Sequence, residues 1–505
     1  MNIYNFAYFY LFALGLTSSV LKTADNTYQI TAYQVLSQAE KNKIHWDWSK
    51  IDTSKINGIP IENFFANTVA ARATTDEPWL FGTGTSAYQI EENCKNNWSE
   101  FIESHPELGK QPAGDCCKGV THALSDVKLM SDIGMNSYRF SVEWSKINPE
   151  PGVFDQAELD RYEMQCKELV KAGIKPYVTL FHYTEPVWFY NKGSFEHKEN
   201  IQYFVDFCAK VFEQLHPYVH LWGTFCSFEG YAFPGWLTGE KPPAKKDPIL
   251  AGRVLKNTLE AHVAVYKKLK SMPGGQESKI GFYKTIMQLD PASPYNPLDR
   301  AASYMGSRAM GYSIYNFFKT GVFDLWIPGK VTMKEPSEYL QAGEKFGDFI
   351  SLSYYCHNYI SFFNLSTRKL FYMYRDPQEV PTANDRYTIY GEGLYRALKE
   401  LDQELSKPCN LPIYVVENGI GTNNDEYRTL FFQRYLFALG HAIADGIDVR
   451  GYAYWSLMDN NEWGRTDKCY GLYATDYNHP GKTRTLKPSA YYYINLVKAA
   501  LGNKL

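Results

Sequence analysis

The stretch YVVENG, residues Tyr414–Gly419, decides the fold of this 505-residue chain. Its β-branched and aromatic residues are typical of a buried strand, and the strand ends on a carboxylate before turning at a glycine. In α/β barrels the polar residues at the carboxyl ends of the parallel strands line the active site. The stretch therefore predicts a buried parallel strand that places Glu417 in a functional site.

Short β-rich runs recur along the chain and alternate with stretches of helical periodicity. The strand runs are Trp79–Thr85, Asn136–Trp144, Lys175–His182, His220–Phe228, Lys279–Ile286, Asp348–Tyr355, Pro412–Glu417 and Val449–Leu457. The helical stretches include Asp126–Ile133, Gln156–Ala172, Ile201–Gln214, Val254–Leu269 and Tyr427–Ala444. Eight strands alternating with helices predict an α/β fold, a (β/α)8 TIM barrel that forms a single domain over residues 78–505.

The composition and the motifs argue against nucleic acid, zinc and phosphate-containing cofactors as ligands. The chain has 52 Lys and Arg against 55 Asp and Glu, and it lacks the basic block that would indicate nucleic-acid binding. Nine cysteines occur without a CxxC pair or a Cys/His cluster at zinc spacing, which favours buried free thiols. No glycine-rich phosphate loop is present, so we expect neither a metal nor another cofactor.

The amino-terminal region lies outside the predicted barrel. Residues 1–20 include the apolar stretch Phe6–Val20, which fits a signal peptide and predicts a secreted or extracytoplasmic protein. Because no Lys or Arg precedes this stretch, a membrane-associated or buried segment is the alternative. The stretch is too short to predict a stable membrane span. Residues 21–77 are polar and weakly patterned, which predicts an extension or linker with a short helix around Gln38–Lys43.

Polar and aromatic side chains follow the ends of the predicted strands. They are Gln89, Arg139, His182, Ser227, Tyr355, Glu417 and Trp455, and the loop after the last strand adds Glu462 and Trp463. Such residues converge on one mouth of a parallel barrel. Hydrogen-bonding groups together with aromatic rings predict a neutral, polyhydroxylated ligand.

Five segments resemble the glycoside hydrolase family 1 β-glucosidases, and they follow one another in the order of that family. The segments are Phe81–Glu91, Tyr138–Trp144, Val178–Tyr183, Val416–Gly419 and Trp455–Trp463. The resemblance extends from about residue 78 to the carboxyl terminus. It implies a small-molecule β-glycoside or oligosaccharide as substrate.

The resemblance also implies a role for each matching residue. The family's retaining mechanism uses two carboxylates about 5–5.5 Å apart, one as nucleophile and one as acid and base. Glu417 matches the nucleophile, and Arg139 and Tyr355 match the residues that keep it ionised and aimed. The residues that match the sugar contacts are Gln89, His182 and Glu462 for the hydroxyl groups, Trp455 for ring stacking and Trp463 for its indole N–H.

The fourth strand departs from the family pattern. Family members read Thr-Phe/Ile-Asn-Glu-Pro there, whereas Thr224–Phe228 reads TFCSF. Cys226 replaces the Asn that binds the sugar 2-hydroxyl, and Ser227 replaces the acid/base Glu. Ser353 stands where the sixth strand usually has Asn. General acid/base catalysis contributes roughly 10²–10⁴-fold to the rate, so ordinary glycosides are expected to react poorly unless another acid acts.

Several alternatives follow from this departure. Glu229 and Glu185 are the candidate replacement acids, and a good leaving group would need none, as in the myrosinase branch of the family. The sequence predicts a retaining β-glycosidase of the glucosidase type that hydrolyses O- or S-linked β-glycosides through a covalent glycosyl-Glu417 intermediate. A carbohydrate-binding pseudoenzyme of the same fold and a transglycosidase are the alternatives.

Overall fold

Eight parallel strands close into a barrel in the computed structural model, which describes residues 44–73, 77–327, 329–376, 379–382 and 387–502. The strands are β1 (Leu80–Gly84), β2 (Ser137–Ser141), β3 (Lys175–Phe181), β4 (Leu221–Cys226), β5 (Lys279–Pro291), β6 (Phe349–Asn364), β7 (Ile413–Asn418) and β8 (Val449–Trp455). Each strand pairs with the next, and β8 pairs with β1. The predicted (β/α)8 barrel is confirmed.

One long helix follows each strand. The helices are α1 (Gly119–Asp132), α2 (Gln156–Lys171), α3 (Ile201–Leu215), α4 (Pro248–Lys270), α5 (Pro297–Thr320), α6 (Gly391–Leu401), α7 (Asp425–Ala444) and α8 (Ala490–Ala500). Side chains of Asp155, Asp247 and Asn424 accept hydrogen bonds from the first free N–H groups of α2, α4 and α7. All five predicted helical stretches are present, and α5, α6 and α8 are additional to them.

Shorter elements fill the connections. The short helices and helical turns are Ala87–Ile90, Asn97–Ser104, Pro106–Leu108, Trp144–Ile147, Val187–Asn191, Ser194–Glu196, Lys198–Asn200, Phe228–Ala232, Phe233–Leu237, Asp402–Ser406 and Lys407–Cys409. Strand Lys369–Tyr374 pairs with the extended end of β6. Two further antiparallel pairs join Val322–Ile327 to Val331–Pro336 and Tyr473–Thr475 to Arg484–Leu486.

Aromatic side chains form a core of their own on the barrel strands, separate from the larger core that the helices cover. It includes Tyr177, Tyr283, Phe349 and Tyr414, all buried. Gly223 on β4 makes room for Tyr283, because a Cβ at this position would lie 2.5 Å from the tyrosine ring. The core thus brings the Tyr283 hydroxyl close to the residues of the site described below.

Residues 44–73 pack against the outside of the barrel. After a strand pair formed by Lys55–Ile56 and Ile59–Pro60, the helix Ile61–Arg72 packs against α7 and α8. The sequence did not indicate this helix within the predicted extension. The apolar stretch Phe6–Val20 and the helix predicted around Gln38–Lys43 lie outside the described residues. Within the described ranges, no helix is sufficiently long and apolar to span a membrane.

Candidate active site

Hydrogen bonds and close packing with the neighbouring strands β6 and β8 hold the end of β7 in place. The Asn418 side-chain amide donates a hydrogen bond to the Tyr354 carbonyl at 2.7 Å, and the Tyr452 hydroxyl donates one to Asn418 Oδ1 at 3.0 Å. A Cβ on Gly419 would lie 1.9 Å from the Trp455 carbonyl oxygen, so this close approach requires a glycine. Glu417 is thereby fixed at the carboxyl end of the strand, where the sequence predicted it.

The Glu417 carboxylate has partners from three other strands. Arg139 Nη1 on β2 lies 2.6 Å from Glu417 Oε1, and the Tyr355 hydroxyl on β6 donates a hydrogen bond to Oε2 at 3.2 Å. Cys226 Sγ on β4 lies 3.5 Å from Oε1. Glu417 is only 7% exposed. The guanidinium and the phenol hydroxyl therefore hold this buried carboxylate in one orientation.

Arg139 is itself held in one orientation. Its Nε donates to Thr179 Oγ1 at 2.9 Å and to the Tyr283 hydroxyl at 3.1 Å, and its Nη2 lies 3.0 Å from His182 Nδ1. Burial disfavours the charge on Arg139, but neighbouring Tyr283 and Glu417 raise its pKa well above the usual value. The guanidinium therefore stays charged next to Glu417.

His182 is a neutral member of this cluster. Burial, followed by the positive charge of Arg139, lowers the pKa of His182 well below its usual value. Since the guanidinium can only donate, Nδ1 of His182 accepts and Nε2 carries the proton. That Nε2–H group is the one available to a ligand hydroxyl.

Among the described residues, His182, Cys226 and Glu417 form the one group with metal-ligand character. Their ligand atoms all lie within 4.8 Å of one another. However, the Arg139 guanidinium already contacts both His182 and Glu417, and its positive charge opposes a cation at the same place. The cluster is therefore better suited to hold a polar ligand than a metal ion.

The predicted sugar contacts come together beside Glu417. Gln89 Nε2 donates to Glu462 Oε2 at 2.9 Å and to Asn460 Oδ1 at 3.1 Å. The Trp455 and His182 rings stack with centroids 5.9 Å apart. Burial raises the pKa of Glu462 to about 7, and the nearby charge of Glu417 acts in the same direction, whereas the hydrogen bond from Gln89 opposes both.

Trp463 closes the aromatic side of this site. Its ring centroid lies 4.5 Å from Trp98, 5.5 Å from Tyr183 and 5.9 Å from His182. The backbone of Trp463 has a φ of +53°, an uncommon conformation for a large side chain. The loop after β8 thus presents Glu462 and Trp463 together, as the sequence predicted.

The end of β4 has no carboxylate. Ser227 is fully buried with a φ of +59°, and its Oγ accepts a hydrogen bond from the Gly230 N–H at 3.0 Å. This hydroxyl caps the short helix Phe228–Ala232. Ser353 pairs in register with Glu417 on the neighbouring strand, and its buried hydroxyl has no partner in the described part of the chain.

Both candidate replacement acids have other partners. Glu229 Oε1 accepts hydrogen bonds from Lys284 Nζ at 2.6 Å and from the Thr285 N–H at 3.1 Å. Glu185 is completely buried and accepts hydrogen bonds from the Ser194 and Tyr231 hydroxyls. Among the described residues, no hydrogen bond joins either carboxyl group to Glu417 or Ser227.

The structure adds residues that the sequence did not single out. Thr179 and Tyr283 lie on predicted strands, and the two-residue alternation of side chains could have indicated that both face the barrel interior. Asn460 lies within a segment that carries the family resemblance. Lys241 lies next to Tyr183 and Trp463, in the loop before α4, where the sequence analysis identified no candidate site residue.

Comparisons with known proteins agree with this geometry. The model of the family described as Glycosyl hydrolase family 1 matches residues 71–501. β-Glucosidase A of Thermotoga maritima is 28% identical over 448 residues, which cover 84% of this chain and 97% of that protein. 6-Phospho-β-galactosidase of Streptococcus mutans is 28% identical over 482 residues, covering 85% and 99%. The solved β-glycosidase from Pyrococcus horikoshii has a TM-score of 0.74 at 31% identity, covering 84% of this chain and 94% of that one. The chain belongs to glycosyl hydrolase family 1, a family of glycoside hydrolases.

Proposed function

We propose that this protein is a retaining β-glycosidase in which Glu417 attacks the anomeric carbon and forms a covalent glycosyl intermediate. The observation that carries the proposal is the pair of contacts on its carboxylate, Arg139 at 2.6 Å and the Tyr355 hydroxyl at 3.2 Å. These contacts fix the direction of the carboxylate at the barrel mouth, as a nucleophile requires. A carboxylate needed only for folding would gain nothing from a position at the mouth of the barrel.

A gluco-configured sugar is the substrate that fits best. Glu462, which Gln89 orients through a hydrogen bond, offers its carboxyl group to the sugar hydroxyl groups, and the Trp455 ring offers an apolar face. The Thermotoga maritima β-glucosidase, with a TM-score of 0.71 and 26% identity, has been solved in complex with glucoimidazole. That likeness supports the glucosidase type among the family's activities.

The aglycone side determines which β-glycosides react. Because Ser227 replaces the carboxylic acid of the family, a substrate with a good leaving group can form the glycosyl intermediate unaided. Aryl O-glycosides and S-linked glycosides belong to this class. Alkyl glycosides and disaccharides depend on a proton donor from elsewhere in the site.

Covalent labelling tests the proposal directly. We expect 2,4-dinitrophenyl 2-deoxy-2-fluoro-β-glucoside to add one fluoroglucosyl group to the protein, on the peptide that contains Glu417. Glu417→Gln should abolish both the adduct and the turnover of 2,4-dinitrophenyl β-glucoside. Glu426→Gln, an exposed carboxylate at the start of α7, is the matched control and should label like the native protein. A native protein without an adduct, or with one on another residue, would contradict the proposal.

A carbohydrate-binding protein without turnover is the second candidate. It is favoured by the hydroxyl of Ser227, which caps a helix and offers no acid at the end of β4. In that case a glucose analogue such as glucoimidazole would bind to the protein in calorimetry, while neither adduct nor turnover would be seen. Labelling of Glu417 therefore separates the two candidates.

A further inference from the structure

The proposed glycosidase lacks a proton donor at the place where its family has one. A serine hydroxyl is too weak an acid to protonate a leaving alkoxide at neutral pH, and the Ser227 Oγ already accepts the Gly230 N–H. Glu229 and Glu185 are held in other hydrogen bonds. A replacement donor would have to reach the end of β4 from another element.

Lys241 reaches this position from the loop that precedes α4. Its Nζ donates a hydrogen bond to the Gly230 carbonyl at 3.2 Å, so it contacts the same residue that Ser227 caps. The ammonium also lies 4.5 Å from the centroid of the Tyr183 ring and 5.9 Å from that of Trp463. Lys241 Nζ is therefore placed between the end of β4 and the aromatic wall of the sugar site.

The backbone fixes Lys241 in this position. Its N–H donates to the Pro234 carbonyl at 3.2 Å, and its carbonyl accepts from the Ala244 N–H at 2.7 Å. The side chain is half-buried, and among the described residues no carboxylate forms an ion pair with its ammonium. A positively charged group that is placed precisely but not neutralised is available to a ligand.

The surroundings of Lys241 also set its acidity. Burial lowers the pKa of Lys241 to about 8, and the positive charge of Lys110 acts in the same direction. Cys226, Glu462 and Glu240 oppose this shift. Tyr183 faces the ammonium through its ring, and burial raises the pKa of its phenol well above the usual value, so it stays neutral. An ammonium of this acidity gives up a proton far more readily than an ordinary lysine.

We propose that Lys241 is the acid and base of this enzyme, donating a proton to the leaving group in place of the missing carboxylic acid. The inference rests on the proposed function, since it assigns a second residue to the same reaction. It makes alkyl glycosides and disaccharides substrates, in addition to aryl and S-linked glycosides.

The two steps balance in protons. In the first, Glu417 Oε forms a bond to the anomeric carbon, the glycosidic C–O bond breaks, and the Lys241 ammonium gives its proton to the departing oxygen. In the second, the neutral Lys241 amine takes a proton from water while that water oxygen bonds to the anomeric carbon and the glycosyl-Glu417 ester bond breaks. Sugar hemiacetal and free alcohol are the products, and both side chains return to their starting states.

Two substitutions test whether the lysine transfers a proton or only provides a charge. Lys241→Met keeps a similar length without charge, and Lys241→Arg keeps the charge on a group that does not release its proton near neutral pH. We expect both to lower kcat/KM for methyl β-glucoside by about 10²-fold or more, while 2,4-dinitrophenyl β-glucoside glycosylates Glu417 at nearly the native rate. Lys246→Met, an exposed lysine of the same loop, is the matched control and should behave like the native protein.

The pH profile provides a second measurement. In the native protein kcat/KM for methyl β-glucoside should fall as the pH rises through about 8, because the donor form of Lys241 disappears. This decline should be absent in both Lys241 variants. The titration of Glu462 near pH 7 affects both substrates, so the ratio of the two rates isolates the contribution of Lys241.

The outcomes separate this inference from the proposed function. If Glu417 is labelled by the fluoroglucoside but the leaving-group dependence of the Lys241 variants equals that of the native protein, Lys241 is not the acid. If Lys241→Arg retains native rates and only Lys241→Met is impaired, Lys241 contributes its positive charge alone, and proton transfer is ruled out. If even the native protein is not labelled, the failure lies with the proposed function.

Discussion

At the scale of single residues, Cys226 alters the chemistry next to the nucleophile. Burial, reinforced by the charge of Glu417, raises the pKa of the Cys226 thiol far above its usual value, so it stays a neutral and weak donor. Its Sγ points to Glu417 Oε1 at 3.5 Å. An amide at this position would add a strong N–H donor for the sugar 2-hydroxyl. The native protein therefore lacks a contact that strengthens in the transition state.

Cys226→Asn should restore part of that contact. We expect kcat/KM for 4-nitrophenyl β-glucoside to rise about tenfold, since one hydrogen bond is worth about 1.4 kcal/mol. The corresponding 2-deoxyglucoside should show no gain, because it lacks the hydroxyl group in question. Cys226→Ser, which offers no amide, is the control. An equal gain on both substrates would mean that the amide acts on something other than the 2-hydroxyl.

The sequence predicted the residues at strand ends better than those in loops. Glu417, Arg139 and Tyr355 were expected to meet because the carboxyl ends of parallel strands share one edge, and they do. Glu229, one of the two candidate replacement acids, lies in the short helix that begins after Ser227 with its positive φ, and it pairs with Lys284. Loop conformation, which sequence patterns do not encode, also explains why Lys241 was missed.

At the scale of elements, the loop after β3 contains a buried acid whose hydrogen-bond donors are two hydroxyl groups. Glu185 accepts hydrogen bonds from Ser194 and Tyr231, but burial outweighs them and raises its pKa to about 8. The folded protein thus retains a proton on Glu185 that the unfolded chain releases above its ordinary pKa of 4.5. Since the folded state binds more protons in this range, the contribution of Glu185 to stability falls as the pH rises from about 4.5 to about 8.

Glu185→Gln should remove this pH dependence. A glutamine has the same shape and no proton to lose, so the slope of the unfolding free energy between pH 5 and 8 should become less negative, by at most about 1.4 kcal/mol per pH unit. Urea unfolding at a series of pH values measures this slope. Glu199→Gln, an exposed carboxylate farther along the same connection, should leave the native slope unchanged. Parallel curves for native protein and Glu185→Gln would show that Glu185 is ionised when folded.

At the scale of the whole molecule, the regular part of the fold was predictable and its outer additions were not. Each of the eight barrel strands contains a run of buried residues, and such runs are rich in β-forming residues that the sequence shows directly. The helix Ile61–Arg72 buries only Ile61 and Phe65, too few residues for a helical period to stand out. This helix is therefore stabilised by its packing against the outside of the barrel.

The packing of the helix Ile61–Arg72 against the barrel predicts that its buried side chains contribute to the unfolding free energy of the whole protein. Phe65 is completely buried, with its ring centroid 5.9 Å from Trp79, just before β1, and 5.7 Å from Phe81 in β1. Phe65→Ala should cost about 3–5 kcal/mol of unfolding free energy, the usual cost of removing a buried aromatic ring. Phe363→Ala, at a side chain that is 45% exposed, should change it by less than about 0.5 kcal/mol.

Chemical denaturation followed by tryptophan fluorescence measures the unfolding free energy of the Phe65→Ala and Phe363→Ala variants. Labelling of Glu417 by the fluoroglucoside, measured at each denaturant concentration, shows whether the active site is still intact. If residues 44–73 are integral to the barrel, Phe65→Ala should lower the midpoint of a single cooperative transition, and the labelling should disappear in that transition. A separate early transition that leaves the labelling intact would instead show that this segment unfolds independently. The barrel alone would then be the unit that positions Glu417, because all of its contacts with Arg139, Tyr355 and Cys226 come from barrel strands.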